Sequence, residues 1–151
     1  MLSTLIYLEN DLDQYLMLHR TKKANDVNHG KWIGIGGKFE HGESPMECLE
    51  REVKEEASQN LKSAVFRGIV TFIYDDQEPM YIFLYTGQLE NNEVGQTREG
   101  DLAWVDKDKI FDLTLWEGDR IFLKELIGSS TLMDIKLVYD KNDVLKLVEK
   151  R

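Results

Sequence analysis

The sequence predicts one α+β domain, a predominantly β structure with two helices to cover its sheet. Three observations lead there. Runs rich in β-branched and aromatic residues recur along the whole chain, parted by short clusters of Asp, Asn, Gly and Pro. Two stretches carry helix signals, Pro45 to Ala57 and Asp119 to Ile127. The chain has 151 residues, 42% of them hydrophobic, with no internal repeat, low-complexity tract or linker, so residues 1–151 are expected to fold as a single domain.

Leu2–Leu8 and Tyr15–His19 read as strands around an Asn10-Asp11 turn. A polar loop, Thr21–Gly30, follows, and Lys31–Ile35 is expected as one short strand leading into Gly36-Gly37. Ser44-Pro45-Met46-Glu47 has the form of a helix start: Ser as N-cap, Pro at the first helical position, Glu three residues after the cap. At 100° per residue, Leu49, Val53 and Ala57 form the apolar stripe of that helix. Leu61–Tyr74 and Met80–Leu89 are expected as long strands parted by Asp75-Asp76-Gln77-Glu78-Pro79. Asp101–Val105 is a further strand, and Asp119–Ile127 a second helix ended by Gly128. Ile135–Tyr139 and Val144–Val148 alternate around Asp140-Lys141-Asn142-Asp143 and predict a closing hairpin.

Charge narrows the function classes. A formal net charge of −9 argues against a duplex nucleic-acid binder, which carries a basic footprint. No apolar run approaches the length of a membrane span. Met1–Leu8 lacks a basic leader and a small-residue cleavage site, so it is expected to be the first strand and not a signal peptide. The single cysteine, Cys48, rules out an internal disulfide and fits a reducing, cytoplasmic setting, with a small helix residue as its simplest role. Arg20, Lys22, Lys23, Lys31 and Lys38 cluster ahead of the first helix, either as solvated loop charges or as a seat for a small polyanion.

Gly37–Gln59 holds the most specific pattern: Gly37, five residues, Glu43, seven residues, Arg51-Glu52-Val53, one residue, Glu55-Glu56. On a helix, Glu52 meets Glu55 and Glu56 at i+3 and i+4, and like charges at that spacing destabilise the helix unless something compensates. A hard divalent cation such as Mg²⁺ does so, because it prefers carboxylate oxygens, water and phosphates. A solvated acidic face is the plain alternative for the three carboxylates alone. Agreement at Gly37, Glu43 and Arg51 as well favours the metal reading.

This spacing resembles the Nudix box, and Gly30–Lys38, Glu99–Trp104 and Leu115–Asp119 are similar to further segments of the MutT-like 8-oxo-dGTP diphosphatase branch of the Nudix hydrolases. Ser58-Gln59 depart from the box, which usually ends in Gly and an apolar residue. The resemblance implies the Nudix fold, a mixed sheet sandwiched between helices with the box as loop-helix-loop. It implies a Mg²⁺- or Mn²⁺-dependent hydrolase that cuts a nucleoside triphosphate to the monophosphate and pyrophosphate. Glu52, Glu55, Glu56 and Glu99, with the Gly37 carbonyl, would hold metal; Arg51 would orient Glu52, and Glu43 would brace the box. Lys38 would touch a phosphate, and Arg20 and Lys23 of the basic cluster are the further candidates to bind the substrate's phosphates. Glu99 would serve as metal ligand or as the base that deprotonates water.

The resemblance also marks a base pocket at Ile33, Trp116 and Asp119. Trp116 can stack on a purine or serve as a half-buried core residue; Asp119 can bond a purine edge or act as a helix N-terminal acid. Two departures bear on selectivity. Ile33 stands where the vertebrate-type enzymes carry Asn, and Gly118-Asp119 where they carry two acids. Small nucleotides are the expected partners. Another nucleoside diphosphate derivative, an RNA 5′ end, or a non-catalytic nucleotide sensor are the alternative readings.

Overall fold

The computed structural model describes residues 1–151. Its elements are β1 (Leu2–Glu9), β2 (Gln14–Arg20), β3 (Trp32–Ile33), β4 (Ile35–Lys38), α1 (Pro45–Ala57), β5 (Leu61–Tyr74), β6 (Met80–Leu89), β7 (Gly100–Asp106), a 3-10 turn (Ile110–Asp112), α2 (Glu117–Gly128), β8 (Met133–Tyr139) and β9 (Leu145–Lys150). The strands join in one nine-stranded mixed sheet with the order β3-β2-β1-β6-β5-β8-β9; β4 pairs with β1 and β7 with β2. β1 runs parallel to β6, and β5 parallel to β8.

The helices bury opposite faces of the sheet. Leu49, Val53 and Ala57 of α1 pack with Ile6, Leu8, Leu16, Leu18 and Ile35. Phe122, Leu123 and Leu126 of α2 pack with Tyr7, Tyr15, Met17, Ile135, Leu137 and Tyr139. Alternate residues of β1 and β2 therefore serve different cores, which is why these strands read as nearly continuous apolar runs. This is the α+β sandwich expected of the Nudix fold.

α1 begins as the sequence dictates. The Ser44 hydroxyl accepts the Glu47 N–H at 3.2 Å, and the Glu47 carboxylate accepts the Ser44 N–H at 3.0 Å, closing a capping box. The helix ends at Ser58, which takes the left-handed conformation, φ 56° and ψ 28°, and donates its N–H to the Lys54 carbonyl. Glycine is the usual occupant of that position because it has no Cβ to crowd the carbonyl.

Three elements differ from expectation. Lys31–Ile35 is not one strand: Trp32–Ile33 pairs with β2, and the chain then crosses to pair Ile35–Lys38 with β1. At Gly36 a Cβ would lie 1.9 Å from the Thr4 carbonyl oxygen, so glycine is what lets β4 lie against β1. α2 starts at Glu117, before Asp119, and Gly128 is its last residue and not its stop. Arg67 supplies the stop instead, donating to the carbonyls of Glu125, Leu126 and Ser129 at the helix end. The 3-10 turn carries no repeating signal in sequence, yet Ile110 within it is fully buried.

Candidate active site

α1 presents its acidic side beside β4 and the loop before β7. Arg51 organises the cluster. Its Nε and Nη2 donate to the two Glu43 oxygens at 2.7 and 3.0 Å, its Nη1 to Glu52 at 2.9 Å and Glu55 at 3.3 Å, and Nη2 also reaches the Lys38 carbonyl at 3.1 Å. These bonds tie the helix to the loop on its N-terminal side with charge-assisted geometry. The Arg51 fork, followed by the Glu40 N–H, holds the Glu43 carboxyl down to about 2. Arg51 is itself shifted upward, Glu43 being the largest cause.

Glu52 and Glu56 turn inward, whereas Glu55 is exposed. Burial pushes both inward carboxyls up. For Glu52, Arg51 opposes the shift and the charges of Glu55 and Glu99 add to it. For Glu56, the Glu99 charge is the next cause, while the Thr97 hydroxyl and Arg20 oppose. Glu56 is 8% exposed, and its Oε2 is buried without a hydrogen-bond partner. No three carboxyl, imidazole or thiol groups close on one point, since Arg51 draws Glu52 and Glu55 to itself and Glu99 is paired elsewhere. Mutually repelling, desolvated carboxyls with an orphaned buried oxygen nonetheless fit a hard divalent cation by donor chemistry. Gly37 permits this approach: a Cβ there would meet the Glu52 carboxylate at 2.4 Å. The Gly37 carbonyl accepts from the Ser3 hydroxyl at 3.0 Å and from the Cys48 thiol, a weak donor, at 3.5 Å.

Glu99 comes from the loop before β7. It meets Arg20 at 3.3 Å and Lys23 at 3.4 Å, and Arg20 is also paired with Asp26 at 2.7 Å. These groups border a cavity of about 720 Å³ that runs from Gly37, Lys38, Arg51 and Glu52 to Ile33, Phe72, Trp116 and Asp119. Lys38, Arg20 and Lys23 line it, whereas Glu43, Glu55 and Glu56 lie outside its wall.

The far end is mostly apolar, with Asp119 and Asn28 as its polar groups. Asp119 is 8% exposed, and burial raises its carboxyl to about 8 against the pull of Lys31. Trp116 is 4% exposed. Its Nε1–H donates to Asn28 at 2.8 Å, the Lys31 ammonium sits 4.1 Å from its ring centroid, and Phe72 and Tyr139 meet it edge-on. The absence of a second acid at Gly118 has a steric reason. A Cβ there would lie 2.5 Å from Leu137 Cδ1 and 2.7 Å from Tyr139 Oη, and that hydroxyl accepts the Gly118 N–H at 2.6 Å.

Sequence reasoning misses Thr97, Asp26 and Asn28 as parts of this region, and it shows Lys31 only as one member of a basic cluster. The first three sit in loops whose polar residues carry no period, so nothing in the pattern separates them from solvated turns.

Comparison with known proteins agrees with the geometry. The NUDIX domain model matches residues 1–126. An uncharacterized Nudix hydrolase, YvcI, of Bacillus subtilis is 29% identical over 84% of this chain and 80% of its own length. The nucleoside triphosphatase NudI of an Enterobacter species is 34% identical over 66% of this chain and 80% of its own. Among solved structures, a MutT protein of Bacillus halodurans superposes with a TM-score of 0.87 at 26% identity, covering 99% of this chain and 96% of that one. With the box, the sandwich and the cavity in agreement, the chain belongs to the Nudix domain family, whose hydrolases cleave diphosphate linkages with the help of divalent metal ions.

Proposed function

We propose that this protein is a Mg²⁺-dependent nucleoside triphosphate pyrophosphohydrolase that prefers purine nucleotides, with 8-oxo-dGTP as the leading substrate. The observation that carries the reading is the one cavity that joins the box to an apolar end holding a buried acid, Asp119. Its volume of about 720 Å³ and its two unlike ends suit a triphosphate beside the box and a flat base beside Trp116. A relative in Danio rerio, 29% identical over 66% of this chain, is an oxidized purine nucleoside triphosphate hydrolase, which supports the same reading.

Glu52, Glu55, Glu56 and Glu99, with the Gly37 carbonyl, would hold Mg²⁺, or Mn²⁺ in its place. The ion supplies charge neutralisation at phosphate oxygens and a more acidic water. The chain does the rest. Arg51 fixes the rotamer of Glu52 and is itself fixed by Glu43. Arg20, Lys23 and Lys38 take phosphate oxygens and align the diphosphate. The proton of the attacking water goes to a carboxylate oxygen of Glu56 or Glu99. Asp119, protonated at neutral pH by its burial, donates to an acceptor on the base. Ile33 adds only apolar surface, so base selection rests on Asp119 and Trp116.

The test is release of pyrophosphate from dGTP, 8-oxo-dGTP, dATP and dCTP, with and without Mg²⁺. Purines, 8-oxo-dGTP first, should be cut to monophosphate and pyrophosphate, and Trp116→Ala should weaken all purines together. Equal turnover of dCTP, or turnover without a divalent cation, overturns the reading.

A further inference from the structure

We propose that Thr97 is a positioning residue of this site, the joint that sets Glu99 against the Nudix helix; the proposal rests on the metal-binding reading given above but not on the identity of the base. The Thr97 hydroxyl accepts the Glu99 N–H at 3.0 Å and the Gly100 N–H at 3.2 Å. Both of its lone pairs are thereby used on the backbone that carries Glu99. The Thr97 N–H closes the turn on the Gly100 carbonyl at 2.9 Å, and the Thr97 carbonyl accepts the Lys22 ammonium at 2.6 Å.

The residue is 9% exposed although it stands in a loop of mostly exposed polar residues. Its hydroxyl lies beside the Glu56 carboxyl, the group with the orphaned buried oxygen. The hydroxyl proton points to the Gly100 carbonyl at 3.4 Å, so the side chain is spent on the turn that carries Glu99, and that turn packs beside Glu56 of α1. The other partners of Glu99 are Arg20, Lys23 and the N–H groups of Thr21 and Lys22, all on the β2 side. Those contacts fix Glu99 on the β2 side, and Thr97 fixes the backbone turn that carries it.

A group that orients a ligand from outside changes metal affinity and turnover without touching the substrate. Mn²⁺ binding is measured by electron paramagnetic resonance on the nucleotide-free full chain, beside kcat and KM for dGTP. Thr97→Val keeps the shape and removes the hydroxyl. It should weaken Mn²⁺ binding by roughly 10–100-fold and lower kcat by a similar factor, with KM nearly unchanged. Thr97→Ser restores the hydroxyl and should lie within about threefold of the parent by the same reasoning. In a Glu99→Gln background, Thr97→Val should add little, because its effect passes through Glu99.

Equal Mn²⁺ affinity in the parent and Thr97→Val overturns the proposal, as does a Ser variant as damaged as the Val variant. A full additional loss in the Glu99→Gln background does the same. Should Thr97→Val fail to fold, the Ser result and Thr97→Ala decide by the same criteria. If dNTP turnover fails while the Mn²⁺ pattern holds, the substrate reading falls and the role of Thr97 stands.

Discussion

Asp119→Asn tests both the stability of the buried acid and its proposed role in base recognition. In the unfolded chain an aspartate ionises near about 3.9. In the fold its carboxyl titrates at about 8, because it is buried and no neighbour donates to it. A folded pKa raised in this way gives stability that is complete below about pH 4 and is lost as pH rises towards 8. Each pH unit in that window removes about 1.4 kcal/mol. Between about pH 5 and pH 7 the loss amounts to about 3 kcal/mol at most, and water in the cavity reduces it to roughly half. Asparagine has the same shape and no titration. The variant should therefore gain about 1.5–3 kcal/mol on the parent between about pH 5 and pH 7, or roughly 4–10 °C in Tm for a chain of this size. Thermal melts of both proteins at about pH 5, 6, 7 and 8 read this directly. Melting temperatures that keep a constant difference across the range would refute the buried neutral acid. The same titration predicts that the parent's preference among purines changes above about pH 8, where Asp119 becomes an acceptor, while the variant's stays flat.

Other substitutions probe the helix, its caps and the core. Glu56→Gln should fold and should lower kcat by about 100-fold or more, measured as pyrophosphate release; near-normal turnover removes Glu56 from the site. Gly118→Ala should cost about 1–3 kcal/mol in a urea melt, because its Cβ meets Leu137 and Tyr139 in a packed core; a neutral result would mean that those side chains yield freely. Ser58→Gly should add about 0.5–1 kcal/mol at the left-handed C-cap of α1, and no gain would show the strain relieved in another way. Glu43, held at about 2 by Arg51, contributes stability above about pH 4 that is lost as pH falls towards 2; Arg51→Met should flatten the acid limb of the stability curve, and an unchanged limb contradicts the pairing.

The legible parts of this protein are those where one local rule decides. Ser44, Pro45 and Glu47 fix the start of α1 because the capping box is a contact between near neighbours, and the helix spans Pro45–Ala57 as its sequence signals predict. β5 and β6 are legible from end to end because both are long and bounded by a polar turn. The break between β3 and β4 is not, since Lys31–Ile35 is locally uniform and the switch of partner from β2 to β1 is a tertiary event. The end of α2 departs from expectation for the same reason: Gly128 is a local stop signal, but the carbonyls are capped by Arg67 from a distant strand. In the site, the pattern names Arg51 and the glutamates. Thr97 is out of its reach, because its hydroxyl bonds are those of an ordinary local turn, and only the fold brings that turn beside α1.

The charge distribution bears on which nucleotide the cavity takes. The chain carries −9 overall, yet Arg20, Lys23, Lys38 and Arg51 border the cavity. At physiological ionic strength a charge is felt over about 8 Å, so a ligand confined to the cavity responds mainly to the groups that line it. A polynucleotide would also meet the acidic exterior, where counterion release gives it no gain and repulsion accumulates with each phosphate. The acidic exterior therefore counts against an RNA 5′ end, whereas the proposed single nucleotide meets only the mixed lining, where Arg20, Lys23, Lys38 and Arg51 stand among Asp26, Glu40, Glu52 and Glu99. On the proposed reading, the buried acid at the opposite end selects a nucleoside whose base has an edge to bond, because a hydrogen-bonding group left unpaired in a mostly apolar slot discriminates against ligands that cannot satisfy it.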